Sequence, residues 1–202
     1  MLNDLKVKGL EIIELHDAYL LNMAWPYESE MKHQASDSLF KFIEANHFFN
    51  TKLWNEEDLA RRQNVSDNEI TKNKRAIDKF NQTRNDCIEQ MDSFILERMP
   101  NLTSKNAKQN SETLGAMIDR LSILSLKIFH MAIQTQRENV SELHIQTCSK
   151  KLEILKNQRN DLSVCFDELL YDCSQGLRYF KQYNQFKMYN DPDLNPQLYA
   201  GK

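Results

Sequence analysis

The sequence contains very little glycine and proline. Only 4 Gly and 4 Pro occur in 202 residues, well below the averages of about 7% and 5%. Folds built on many tight turns or glycine-rich phosphate loops need far more of both. The glycine motifs of P-loop, Rossmann and serine-hydrolase proteins do not occur in the sequence. A β-sandwich, a β-barrel and a Rossmann sheet are therefore disfavoured.

Long apolar runs, an excess of basic charge and paired cysteines are also lacking. The most apolar stretch, 121–133, is interrupted by Ser, Lys and His, so no membrane span is expected. The formal charge of −3 provides no basic field for a nucleic acid partner. The 4 Cys form no Cys-x-x-Cys pair, which is typical of reduced core thiols in a cytoplasmic protein. No signal peptide, metal or cofactor is expected.

Apolar residues recur at helical spacing along most of the chain, without sustained strand alternation. Ser66 and Glu69 have the spacing of a capping box, which marks a helix start. A polar loop is predicted over 100–112. Five helices are predicted, over about 3–24, 37–63, 67–99, 113–138 and 142–187.

Short turns at 64–66 and 139–141 predict antiparallel neighbours. The fourth helix is apolar on most sides, so we expect it in the middle of the fold. The predicted fold is all-α: a five-helix bundle built from two antiparallel helical hairpins plus an N-terminal helix. It forms a single domain over 1–202, with an extended C-terminal tail over 190–202 that contains two prolines.

Asparagine is unusually frequent. The chain has 19 Asn, although Asn competes for backbone groups and is a mediocre helix former. Two predicted helices carry ridges of polar residues at steps of three and four. A solvated face, a pocket between the helices and a partner interface, such as that of a homodimer, all remain open. The ridges consist of His47, Asn50, Trp54, Glu57, Asp58 and Arg61 on the second helix, and Asp78, Asn81, Gln82, Asn85, Glu89 and Asp92 on the third.

Two arginines interrupt apolar stripes, Arg84 on the third helix and Arg159 on the fifth. Each lies in a similar short motif, Asn81–Asp86 or Asn157–Asp161. The two motifs are either an internal repeat or a coincidence in an Asn-rich chain. A guanidinium in an apolar stripe needs a hydrogen-bonded partner.

The distance of each residue from the turn of its hairpin predicts which residues lie opposite these arginines. Asp119 is predicted to lie opposite Arg159, and the candidate partners of Arg84 are Glu44, Asp58 and Asp86. Structural ion pairs are one interpretation. The other is an anion clamp, because the planar guanidinium fits phosphate or carboxylate.

The hairpin of the second and third helices is the predicted site. Glu44 and His47 have the spacing of half a di-iron site, but no second Glu-x-x-His exists and no metal is assigned. The candidates for acid, base or catalytic carboxylate are His47, Glu57, Asp58 and Asp86. The predicted substrate-binding residues are Asn50, Trp54, Arg61, Asp78, Asn81, Gln82, Arg84, Asn85 and Glu89.

Four segments together resemble DUF4254, a bacterial family of unknown function. These segments are His47–Arg61, Lys74–Glu89, Met117–Leu124 and Gln185–Tyr199. The resemblance implies a bacterial protein, often encoded near glycosyltransferase genes for lipopolysaccharide or other surface glycans. It implies no assigned reaction.

Two kinds of function follow as hypotheses, and whether the protein is an enzyme stays open. One is an accessory or binding protein in lipopolysaccharide or surface-polysaccharide biosynthesis, with a glycosyltransferase as its partner. The alternative is an enzyme that acts on a phosphorylated or sugar-nucleotide substrate through the polar site between helices two and three. In the enzyme hypothesis, Arg61 and Arg84 hold an anionic small molecule.

Overall fold

The computed structural model describes residues 5, 7–27, 31–99, 106–184, 188 and 191–200. These residues are mostly helical, as predicted. Their regular structure comprises α1 (Gly9–Leu20), α2 (Leu39–Leu59), α3 (Asp67–Arg98), β1 (Lys108–Gln109), α4 (Leu114–Thr135), α5 (Glu142–Ser174), β2 (Arg178–Tyr179) and α6 (Pro196–Tyr199).

The fifth helix is shorter than predicted and is followed by a strand. α5 ends at Ser174 instead of near 187. Gly176 adopts a φ of 67°, a left-handed conformation that ends helices and that glycine tolerates. β2 then pairs in parallel with β1, inside the predicted loop of 100–112, of which 100–105 lie outside the described residues.

The tail was predicted to be extended, and this prediction is wrong for its last described turn. Pro196 begins α6, and the Asn195 side chain caps it by accepting a hydrogen bond from the Gln197 amide at 3.0 Å. Proline suits the first helical position because its φ is already helical and the missing N–H would have no partner there. Residues 190 and 201–202 lie outside the described part of the chain.

α4 is the central helix, as predicted from its apolar surface. It contacts α1, α2, α3 and α5, and its side chains at Leu114, Ile118 and Leu121 are fully buried. The other extensive contacts join α2 to α3 and α4 to α5, the pairs that the short turns connect. Burial of such apolar surface, at about 25 cal/mol per Å², holds the helices together around α4.

Two aspartates fix the starts of α4 and α1 in the same way. Asp92 Oδ1 on α3 accepts a hydrogen bond from the Gly115 amide at 2.7 Å. Asp167 Oδ1 on α5 accepts one from the Gly9 amide at 2.8 Å. The amides of a first helical turn lack partners within the helix, and a carboxylate also interacts favourably with the helix dipole there.

α3 and α5 carry the same residue types at matched positions. Each begins after an Asn-Val-Ser turn whose serine, Ser66 or Ser141, caps the helix. Arg84 and Arg159 each stand 18 positions after their own cap serine, and the two anchoring aspartates each stand 26 positions after it. These matched positions favour an internal repeat over a coincidence.

Gly115→Ala should destabilise the protein although alanine is the better helix former. The new Cβ would lie 2.7 Å from both Asp92 Oδ1 and the Ile88 carbonyl oxygen. We expect the free energy of unfolding to fall by about 1–3 kcal/mol, against a gain of about 1 kcal/mol from helix propensity alone. Urea denaturation measures the sign, and a higher midpoint for the variant would contradict the close approach of α3 to α4.

Candidate functional site

A buried polar network joins α2 to α4. Asp119 Oδ1 accepts hydrogen bonds from Asn46 Nδ2 and Asn50 Nδ2, both at 2.9 Å. Ser122 Oγ lies 3.0 Å from Asn50 Nδ2 and 2.8 Å from His47 Nδ1. All five side chains are buried. Because buried polar groups are stable only when hydrogen-bonded, this network fixes the rotation of α2 against α4.

His47 belongs to the core. It stacks on His16 with ring centroids 4.4 Å apart, and both rings are fully buried. Burial lowers the pKa of both residues, that of His47 to about 3, so both rings are neutral at neutral pH. Within the described residues, neither nitrogen of His16 has a hydrogen-bond partner. The structure therefore places His47, predicted as an acid or base, inside the core packing.

Arg84 reaches the network from α3. Its Nε lies 3.9 Å from Asp119 Oδ1, and its Nη2 donates to Asn85 Oδ1 at 3.3 Å. Nε is buried and has no hydrogen-bond partner among the described residues. Both arginines form ion pairs with aspartate, but the predicted partner is wrong in each case, because Asp119 was predicted for Arg159 and Asp17 was not predicted for either.

Arg159 instead pairs with α1. Its Nη1 donates to Asp17 Oδ1 at 2.6 Å and to Ser125 Oγ at 2.9 Å. Only 14% of the Arg159 side chain is exposed. The prediction compared positions within one hairpin, and it therefore could not include a carboxylate supplied by a third helix that packs alongside.

Glu44 and Asp86, two of the predicted partners of Arg84, lie elsewhere. Both Glu44 oxygens accept backbone hydrogen bonds, from the Lys32 amide at 2.6 Å and the His33 amide at 2.9 Å. Burial raises the pKa of Glu44, and these two bonds oppose that effect. Asp86 is exposed and accepts a hydrogen bond from Gln82 Nε2 at 2.8 Å. Neither carboxylate is therefore available to Arg84.

A cleft of about 320 Å³ opens beside Arg84, bounded by α2, α3 and α4. We call it the α2–α3 cleft. Its polar lining includes two carboxylates and two guanidiniums, and one of each is already paired, since Arg61 Nη1 lies 2.6 Å from Glu57 Oε2. Seven predicted site residues line the cleft, together with Leu53, Ile123 and Leu126: Asn50, Trp54, Glu57, Asp58, Arg61, Asn81 and Arg84.

The other six predicted site residues do not line this cleft. The predicted ridge on α3 was too wide, because steps of three and four residues spread gradually around a helix. Asp78, for example, pairs with Lys74 at 2.9 Å and is exposed. The six are His47, Asp78, Gln82, Asn85, Asp86 and Glu89.

A second cleft, of about 570 Å³, adjoins the first and shares Trp54 and Asp58 with it. We call it the α4–α5 cleft. Sequence reasoning missed it because its residues come from three helices, without a shared local pattern. Its lining comprises Trp54, Asp58, Lys127, His130, Met131, Gln134, Lys151, Ile154, Leu155 and Gln158.

The wall between the clefts is an aromatic stack. The rings of Trp54 and His130 lie 4.4 Å apart at an interplanar angle of 7°. Burial lowers the pKa of His130, and the nearby charge of Asp58 partly opposes this. A neutral imidazole therefore covers one face of the indole. Trp54 lines both clefts, and His130 lines the α4–α5 cleft.

The fold and the two clefts define a helical protein with a composite polar groove. The model of DUF4254, a family of proteins of unknown function, matches residues 40–182, and the chain belongs to this family. No curated protein and no solved structure matches the chain.

Two further properties of the described residues bear on the site. None of their helices is both long and apolar enough to cross a membrane. In the same part of the chain, His, Cys, Asp and Glu side chains form no group of three or more that could hold a metal ion.

The two buried histidines should make the free energy of unfolding smaller as the pH drops below about 6.5, the pKa of an unfolded histidine, whereas the raised pKa values of Asp92 and Glu44 act in the opposite direction. Because the pKa values of His16 and His47 are lowered in the folded protein, the unfolded chain binds protons first as pH falls. We expect His16→Phe, which keeps a stacked ring, to reduce the slope by up to about 1.4 kcal/mol per pH unit between about pH 6 and 4. Urea denaturation across this pH range measures the slope of the free energy of unfolding against pH. Equal slopes for wild type and His16→Phe would contradict the lowered pKa of His16, because they would show that His16 takes up its proton in the folded protein as well.

Proposed function

We propose that the protein binds a phosphorylated sugar or a sugar nucleotide, with the sugar in the α2–α3 cleft. The observation that carries the proposal is the convergence of amide, carboxylate and guanidinium groups around the Trp54 ring in one concave site. Such groups donate to and accept from hydroxyls, and an aromatic ring packs against the apolar face of a sugar. The lining of the α2–α3 cleft contains two acidic and two basic residues. This balance of charge suits a neutral, hydroxyl-rich group better than a multiply charged anion.

The comparison of Arg84 with Arg159 supports a binding role for Arg84. Both arginines occupy the same position in the internal repeat. Arg159 makes two short hydrogen bonds to Asp17 and Ser125, whereas Arg84 stays 3.9 Å from Asp119 and is 26% exposed beside an open cleft. A ligand hydroxyl or oxyanion would complete the hydrogen bonding of Arg84, while that of Arg159 is already satisfied within the protein.

The wider role in this proposal is that of a cytoplasmic binding protein in lipopolysaccharide or surface-polysaccharide biosynthesis. Its support is the resemblance described above, which implies genes located near glycosyltransferases. Co-purification with the glycosyltransferase encoded beside it tests this role, and the mass of the isolated protein in solution tests a homodimer. Failure of the two proteins to associate at micromolar concentration would contradict the partnership.

An enzyme acting on the same ligand is the second candidate, and the position of Asp58 favours it. Asp58 lines both clefts, so its carboxylate lies where the two clefts meet. A carboxylate there is suited to act as an acid or base. Product release from UDP-glucose or glucose 1-phosphate, followed by chromatography, distinguishes the two, because a binding protein returns the ligand unchanged.

Arg84→Gln should weaken sugar-ligand binding at least tenfold, because it removes the donor that faces the cleft. Calorimetry with a panel of sugar 1-phosphates and UDP-sugars measures the affinity. The matched control is Arg159→Gln, which should leave the affinity unchanged and lower the free energy of unfolding by about 2 kcal/mol, since it leaves Ser125 and Asp17 without their donor. Equal affinities of Arg84→Gln and wild type for every ligand that binds would contradict the proposed site.

A further inference from the structure

We infer that the α4–α5 cleft is the phosphate subsite of this ligand, an inference that rests on the proposed function. The two clefts meet at Trp54 and Asp58. A ligand that places its sugar in the first cleft therefore continues directly into the second. The volumes of about 320 and 570 Å³ both lie within the roughly 300–1,000 Å³ typical of small-molecule sites.

The two clefts differ in charge. The α4–α5 cleft is lined by Lys127 and Lys151, and among the described residues Asp58, at its border, is the only acidic residue in its lining. His130 adds no charge at neutral pH, because burial lowers its pKa. The α2–α3 cleft, by contrast, has balanced charges. The positive charge of the composite groove is therefore concentrated in the α4–α5 cleft.

The lysines of this cleft are not committed to ion pairs. Within the described residues, no carboxylate oxygen lies within 4.0 Å of the ammonium group of Lys127 or Lys151. Arg61 in the neighbouring cleft, in contrast, is held by Glu57 at 2.6 Å. Lys127 is on α4 and Lys151 on α5, so two ammonium groups approach one cavity from different helices. Such a pair provides point charges for the oxygens of a phosphate.

The rest of the lining suits a phosphate that is part of a larger molecule. Gln134 and Gln158 provide amide donors, and Met131, Ile154 and Leu155 form an apolar wall beside the aromatic stack. A sugar phosphate would use the lysines and amides alone. A sugar nucleotide would also place its planar base against the apolar wall, and the phosphate chemistry is common to both ligands.

The test uses inorganic pyrophosphate, which probes the phosphate subsite independently of the sugar. The double variant Lys127→Ala, Lys151→Ala should lose at least tenfold in pyrophosphate affinity measured by calorimetry. The matched control is Lys150→Ala, Lys156→Ala, which removes the same charge from exposed positions of α5 that do not line the cleft. This control should bind pyrophosphate as wild type does.

The outcomes separate this inference from the proposed function. Absence of pyrophosphate binding, or binding that is equal in the two double variants, overturns the phosphate subsite. Neither result affects the sugar-ligand panel measured with Arg84→Gln, which tests the α2–α3 cleft. Tighter binding of UDP-glucose than of glucose 1-phosphate, lost in the Lys127 and Lys151 variant, supports the subsite with a nucleotide as its occupant. If UDP-glucose and glucose 1-phosphate bind equally well, and both lose affinity in the Lys127 and Lys151 variant, the result supports the subsite with a simple phosphate ester as its occupant.

Discussion

The buried carboxylate of Asp119 is the constraint on which the architecture of the site depends. Only 7% of this residue is exposed, and a buried charge is tolerated only when hydrogen-bonded or paired. The amides of Asn46 and Asn50 supply two hydrogen bonds from α2, and Arg84 supplies the opposite charge from α3. One side chain of the central helix thus fixes two neighbouring helices. The α2–α3 cleft lies where side chains of these three helices meet beside this network.

The matched positions of α3 and α5 allow a structural arginine to be compared with a candidate binding arginine. In both hairpins a long helix carries a cap serine, an arginine and an anchoring aspartate at equal intervals. The aspartates Asp92 and Asp167 have kept the same task, since each holds the first turn of another helix. The arginines have diverged. α1 provides Asp17 for Arg159, whereas the guanidinium of Arg84 shares Asp119 with two amides and stays at a distance. The difference lies in the neighbouring helix and not in the repeated helix itself.

Local sequence signals predicted the helices and their caps well, and they failed where a partner came from elsewhere in the chain. The capping box of Ser66 and the cap at Ser141 depend on residues within one turn, and both are present. The end of α5 was missed, because the apolar spacing continues past Gly176 and only its left-handed φ reveals the stop. The partner of Arg159 was missed because α1 is distant in sequence. Many residues of the α2–α3 cleft recur at helical spacing on one helix, so the sequence could predict them. The α4–α5 cleft combines Trp54 with His130 and two lysines from other helices, and it therefore leaves no pattern within a single segment.

The proposal that this protein binds its ligand without converting it is consistent with the positions of the groups whose pKa values are shifted. Enzymes concentrate groups with shifted pKa values at the reacting centre. In the described part of this protein, the largest shifts belong to groups with structural roles: burial lowers the pKa of the stacked His16 and His47 in the core, and raises that of Asp92, the anchor of α4, to about 6. His130, whose pKa is lowered by burial, lines the α4–α5 cleft, and its ring is engaged in the stack with Trp54. The groove therefore offers hydrogen bonds, an aromatic surface and positive charge, which are the groups that the proposed sugar-phosphate ligand requires.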